Sequence, residues 1–235
     1  MLSVIIPALN AERHLPSTLT ALVPAAVDGI IREVIIVDGG SADRTRSVAD
    51  HAGADFLVTA PGRGSQLAEG AARAKFPWLL FLHADTVLQD GWEREAADFM
   101  HRVDAGQQPR SAAAFRFRLD DNGLAPRTLE AIVRVRCAAL RLPYGDQGLL
   151  ISRRLYDEVG GYNALPIMED VDIVRRLGRS RMTLLNANAT TSAERYRREG
   201  YLARTLRNQT CLALYSAGLP IAKIQRLYGV AHASR

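Results

Sequence analysis

The chain has 235 residues, 48% of them hydrophobic and 23% charged, enough for one folded domain with a sizeable core and room for a small appendage. Its formal net charge of +5 is almost wholly arginine, since Lys75 and Lys223 are the only lysines. No aromatic-basic interleaving accompanies that charge, so nucleic acid is not an expected partner, whereas an acidic ligand or an anionic membrane surface is compatible with it. No run of about 18 apolar residues exists to cross a bilayer, and Met1 to Pro7 is too short for a signal peptide, so a cytoplasmic location is expected.

Leu2 to Pro7 predicts a first strand, followed by the loop Ala8-Leu9-Asn10-Ala11-Glu12. Pro16 suits the first turn of a helix that carries Leu19, Leu22 and Val23 inward. Glu33 to Asp38 predicts a second strand, and Gly39-Gly40-Ser41 a tight turn into a helix reaching His51. A third strand is expected over Ala54 to Thr59. Pro61-Gly62-Arg63-Gly64 then opens an alanine-rich helix, either as a plain helix start or as a loop presenting Arg63 and backbone N–H groups to a phosphate. Leu67 occupies the third glycine position of a dinucleotide fingerprint, which weakens a nicotinamide reading.

Trp78 to Leu82 is an unbroken apolar run, as expected of a central strand buried on both faces. It stops at His83-Ala84-Asp85-Thr86, where ligands of such sheets gather. Asp85 is therefore either a turn former or a ligand-binding carboxylate. A helix from about Trp92 to Val103, a strand over Ala112 to Leu119, and a helix with Leu129, Ile132, Val133, Cys137 and Leu140 at helical spacing follow. Tyr144-Gly145-Asp146-Gln147-Gly148 reads as a turn into a strand at Leu149, and Gly160 to Pro166 as a flexible stretch. Glu169 and Asp170 open the next helix, where acidic residues favour the macrodipole and so serve either as caps or as a site. A short strand, Met182 to Leu185, comes next.

From residue 191 the pattern turns helical and basic, with Arg195, Arg197, Arg198, Arg204 and Arg207. Ile221, Ile224, Leu227 and Tyr228 share one helical side. That side either packs back onto the main domain or serves a partner, as a homodimer contact or a peripheral contact with the inner face of a membrane. Cys137 and Cys211, far apart and without a Cys-x-x-Cys partner, are expected to be reduced.

Four of these stretches, Val4 to Glu12, Ile36 to Thr45, Phe81 to Thr86 and Met168 to Asp172, together resemble family 2 glycosyltransferases of the GT-A fold. The resemblance covers roughly residues 2–190 and implies a GT-A domain over 1–190 with a helical appendage over 191–235. It implies an α/β fold whose mostly parallel central sheet is flanked by helices. Within that family, Phe81 to Thr86, Tyr144 to Gly148 and Thr191 to Tyr196 resemble a small bacterial group of radical-SAM/selenodomain-associated transferases.

By that resemblance Pro7, Ala8, Asn10 and Glu12 line a nucleotide pocket, Asp38 binds base or ribose, Ala84 borders the donor, and Arg63 supports the diphosphate. Asp85 matches the metal-binding second acid of the family's Asp-x-Asp motif, and Asp170 its catalytic base with Glu169 as supporting neighbour. His83 replaces the first acid, which favours manganese over magnesium if the imidazole is a ligand; otherwise His83 binds the sugar. The family's Gln-x-x-Arg-Trp element is absent, which points away from polymer synthesis. The expected activity is an inverting transfer from a nucleotide diphosphate sugar, a UDP-sugar first, to a small or lipid-linked acceptor, with a divalent cation. The alternatives are a sugar-nucleotide nucleotidyltransferase, against which the missing glycine-rich triphosphate loop after the first strand counts, and a non-catalytic nucleotide-sugar-binding protein, which has no need of Asp170.

Overall fold

A computed structural model describes residues 1–228, with Leu140 described by its backbone alone. The end of the expected appendage, 229–235, lies outside the described residues. Eight strands are β1 (Leu2–Ala8), β2 (Ile31–Asp38), β3 (Asp55–Val58), β4 (Trp78–Phe81), β5 (Thr86–Leu88), β6 (Ala112–Leu119), β7 (Leu149–Ser152) and β8 (Met182–Thr191). They form one sheet in the order β3-β2-β1-β4-β7-β6-β8-β5. β1 runs parallel to β2 and β4, β2 to β3, and β6 to β8, while β7 and β5 are antiparallel to their neighbours. The sheet is therefore mostly parallel, as expected.

Both faces of the sheet are covered, which explains the unbroken apolar runs of its central strands. Along β1 the side chains alternate: Val4 and Ile6 join the core beneath Trp92 and Phe99, and Ile5 joins the opposite core with Leu67, Ala71, Ile173 and Val174. Gly70 lets helix Arg63–Arg73 lie close on the sheet. A Cβ there would run into Ile5 Cγ2 and come within 2.9 Å of Val37 Cγ2.

Several expectations need correction. The first helix is split into Leu15–Thr20 and Val23–Val27, because Pro24 cannot continue it, and Val23 faces solvent. In helix Leu124–Leu140 the buried stripe is Leu129, Val133 and Cys137, whereas Ile132 is exposed. β8 runs past Leu185 to Thr191 because β6 and β5 pair with it on its two sides; its Asn-Ala-Asn-Ala segment carries no local apolar signal.

The chain ends in helices Glu194–Glu199, Tyr201–Ser216 and Ile221–Tyr228. Ile224 is fully buried with Cys211 and Ile167, and Ile221 and Tyr228 pack against that cluster. The apolar side considered above for a membrane or a second copy is thus largely spent on the chain itself, with Leu227 left partly exposed. Within the basic segment Arg204 and Arg207 both pair with Glu199, and Arg204 also stacks on Tyr228, whereas Arg195, Arg197 and Arg198 are exposed. Cys137 and Cys211 are free and buried. Among the described residues no helix is long and apolar enough to cross a membrane.

Candidate active site

The parallel register of β1 and β2 sets Ala8 beside Asp38. Their loops are laced together by side chains. The Asn10 amide donates to Ser41 Oγ (2.7 Å) while Ala42 N–H donates to Asn10 Oδ1 (2.9 Å). The Glu12 amide donates to Asp43 Oδ2 (3.0 Å) while Arg44 N–H donates to Glu12 Oε2 (2.8 Å). Asn10 has φ +51°, a left-handed conformation that asparagine tolerates better than most residues. Asn10 and Glu12 therefore shape the wall of the expected nucleotide pocket by bracing it.

Asp38 is buried, and its Oδ2 accepts N–H groups from Gly40 (2.9 Å) and Ser41 (2.8 Å). The Ala8 carbonyl is capped by Gly39 N–H and by Gln66 Nε2, which also donates to Val37 O (2.7 Å). Gln66, buried and bridging both strand ends, is a structural residue that periodicity did not single out. Pro7, the penultimate residue of β1, remains partly exposed.

At the next strand, Leu82 N–H still pairs with Ile5 O, and the chain then turns with Thr86 N–H on His83 O (3.2 Å). Thr18 Oγ1 donates to Ala84 O (2.9 Å) and Ser192 N–H to Asp85 O (3.2 Å), which ties the turn to two distant segments. The His83 ring keeps some surface exposure yet sits deep among other side chains. Lost hydration, with the Arg63 charge second, pushes its pKa down to about 4, so it is neutral near pH 7 with a lone pair to offer.

Helix Glu169–Leu177 brings its first turn to the same place. Asp170 Oδ2 accepts Gly145 N–H at 2.7 Å, and a Cβ on Gly145 would lie 2.8 Å from His83 Nε2 and 3.2 Å from Asp170 Oδ2. The absence of a side chain at Gly145 is what lets His83 and Asp170 approach. Gln147, buried, anchors this turn by donating to Phe115 O (2.8 Å).

Glu169 has no exposed surface. Arg63 Nη1 lies 3.2 Å from its Oε1 as an ion pair, and among the described residues neither carboxylate oxygen has a partner in good hydrogen-bond geometry. Burial pushes the Glu169 carboxyl up to about 7 against the pull of Arg63, and the Glu169 charge in turn raises the Arg63 pKa. Glu169, expected as the supporting neighbour of Asp170, has Arg63 as its ion-pair partner. Beside it, a cavity of about 10 Å³ lined by His83, Gly145, Tyr162, Glu169 and Asp170 has room for about one water.

Asp146 was read only as part of a turn. Its Oδ1 is buried without a hydrogen-bond partner among the described residues, and burial raises its carboxyl to about 6, opposed by Arg136 and reinforced by the charges of Asp170 and Asp85. A turn motif carries no sign of burial, so nothing local marked it.

The stretch before Glu169, expected to be flexible, is stapled. Gly64 N–H donates to Leu165 O (3.1 Å), Tyr162 N–H to Tyr156 Oη (3.0 Å), and Arg176 to the carbonyls of Val159 and Gly161. Met168, at φ +64°, turns the chain into the helix. Asp172 pairs with Arg176 (3.0 Å). His83, Glu169 and Asp170 thus line one cavity, Arg63 pairs with Glu169, and the charge of Asp85 acts on Arg63, His83 and Asp146. Among the described residues no three His, Cys, Asp or Glu side chains form a ready-made metal cluster.

A family model described as Glycosyl transferase family 2 matches residues 3–132, more than half of the chain. The chain is 30% identical over 95 residues to glucosyl-3-phosphoglycerate synthase of Mycobacterium tuberculosis, covering 37% of this chain and 29% of that protein. It is 34% identical over 118 residues to a PGL/p-HBAD biosynthesis glycosyltransferase of Mycobacterium bovis, covering 45% and 41%. It thus spans less than half the length of these relatives.

Crystal structures of the M. tuberculosis synthase superpose with TM-scores of 0.63, in complex with phosphoglyceric acid, and 0.62, in complex with Mn2+ and UDP-glucose. Their identities are 23% and 24%; each covers 94% of this chain, and 81% and 80% of the respective chain. S. aureus TarS superposes at 0.62 with 16% identity over 96% of this chain and 42% of its own. These likenesses show a shared fold, the expected GT-A arrangement.

Proposed function

The chain belongs to glycosyl transferase family 2, and on that premise we propose that it transfers a sugar from a nucleotide diphosphate donor to an acceptor hydroxyl with inversion. The observation that carries the proposal is the meeting of Asp170 with the His83–Asp85 turn across Gly145. It sets a carboxylate able to take a proton beside the strand end where a donor would sit. A UDP-sugar is the favoured donor, because fold neighbours are complexed with UDP-glucose.

The donor groups present suit a divalent cation. Asp85 offers an oxygen and neutral His83 a nitrogen, the mixed set that favours manganese, and the cation's remaining ligands would come from the diphosphate and water. When bound, such a cation supplies positive charge to the departing diphosphate. Asp170 takes the proton of the acceptor hydroxyl, whose oxygen bonds to the anomeric carbon as the bond from that carbon to the diphosphate oxygen breaks. The electron pair leaves with the nucleoside diphosphate, next to Arg63. Asp38, on the β1–β2 edge, holds base or ribose, with Pro7, Ala8 and Ala84 as the apolar wall.

The acceptor is a small or lipid-linked molecule. The test is to incubate the protein with UDP-glucose and manganese and to measure released UDP. UDP release that requires Asp170 supports the reading, whereas pyrophosphate formed from UTP and a sugar phosphate would replace it with nucleotidyl transfer.

A further inference from the structure

We propose that Glu169 is a positioning residue whose partner is Arg63, and that it holds the guanidinium with its remaining N–H groups free for the diphosphate of the donor. This rests on the donor reading above. A carboxylate with no exposed surface and no well-formed hydrogen bond among the described residues is costly unless a countercharge compensates it, and Arg63 Nη1 at 3.2 Å makes an ion pair with it. Arg63 in turn keeps 30% of its side-chain surface exposed while its Nη1 pairs inward with Glu169. A guanidinium carries five donors in a fixed plane, which lets one end meet a carboxylate while the other meets a phosphate.

The two helices that carry the pair are fixed to each other. Gly64 N–H donates to Leu165 O (3.1 Å), and a Cβ on Gly64 would lie 2.6 Å from Leu165 O and collide with Asn163 O. The first turn of helix Arg63–Arg73 therefore cannot slide relative to the chain entering helix Glu169–Leu177, and Glu169 sets the direction of Arg63 from a rigid base. Adjacent Asp170 faces the other way, onto Gly145 N–H, so neighbouring acids in one helical turn serve two sides of the site.

The test is a double-mutant cycle on the affinity of UDP in the presence of Mn2+, measured by calorimetry, with thermal melting as the check on folding. Wild type should bind UDP, Arg63→Ala should bind it at least tenfold more weakly, and Glu169→Gln about three- to tenfold more weakly. In the Arg63→Ala background Glu169→Gln should change nothing further, because its effect passes through the missing guanidinium. If Arg63→Ala does not fold, Arg63→Lys serves as the second background. A point charge has no plane to orient, so Glu169→Gln should again be silent there.

Equal losses from Glu169→Gln in both backgrounds would reduce Glu169 to a structural role and overturn the proposal. Tighter UDP binding in Glu169→Gln would do so too, by making Glu169 merely a repelling charge. Wild type that binds none of UDP, GDP or TDP would overturn the donor reading itself, and the proposal with it. Binding by wild type with no effect of Arg63→Ala would overturn only the pairing role.

Discussion

The Gly145 amide and the Asp170 carboxylate are joined by a 2.7 Å hydrogen bond, and no side chain larger than hydrogen fits where they meet. Gly145→Ala would press a methyl group on His83 Nε2 and Asp170 Oδ2. The expected outcome is a folded protein, destabilised by about 1–3 kcal/mol as overpacked cores are, with UDP release at least tenfold slower and UDP affinity nearly unchanged. Denaturant melting and steady-state kinetics read the two effects separately.

Asp170→Asn keeps an oxygen for Gly145 N–H but cannot take a proton at neutral pH. Turnover should fall by about 10² to 10⁴ while UDP binds as in wild type. Near-normal turnover in Asp170→Asn would move the base elsewhere, with Asp146 the first residue to test.

Asp38→Ala should weaken UDP binding more than tenfold, about 1.4 kcal/mol. It also strips the acceptor from the Gly40 and Ser41 amides, so stability should fall by about 1–3 kcal/mol for each amide that water does not reach. Calorimetry at a temperature well below melting separates the two losses.

Excess chelator should stop UDP release, and added manganese should restore it. Asp85→Ala should raise the manganese concentration needed for half-maximal rate by at least tenfold, since it removes the carboxylate from the proposed ligand pair. Full turnover in chelator would shift the charge-holding role to Arg63.

The stability of the Glu169 environment should depend on pH in a stated direction. Its carboxyl ionises near 4.5 in the unfolded chain and near 7 in the folded one, so between those values the folded state holds more protons and wild type loses stability as pH rises. Arg63, Asp170 and Tyr162 share that environment and do not change the sign. The stability of Glu169→Gln minus that of wild type should therefore climb from about pH 4.5 to about pH 7 and level off above. A flat difference would mean that Glu169 is ionised throughout.

Sequence alone determined the strands that end in Asp38 and near Asp85, because buried parallel strands leave unbroken apolar runs and the residues just beyond them are local neighbours on the chain. It likewise marked Glu169 and Asp170 as the acidic first turn of a helix. What it left undecided depends on contacts between segments far apart in the chain. The partner of Glu169 became visible only once Gly64 had docked on Leu165; the burial of Asp146 needed Arg136 and the strand ends around it; and β8 extends to Thr191 through ladders to β6 and β5 that its own residues do not announce. The apolar side of the last helix shows the same limit. Periodicity identified Ile221, Ile224 and Tyr228 as one side, but whether that side meets solvent, a membrane or the chain itself is a question of what lies opposite, and here Ile167 and Cys211 do.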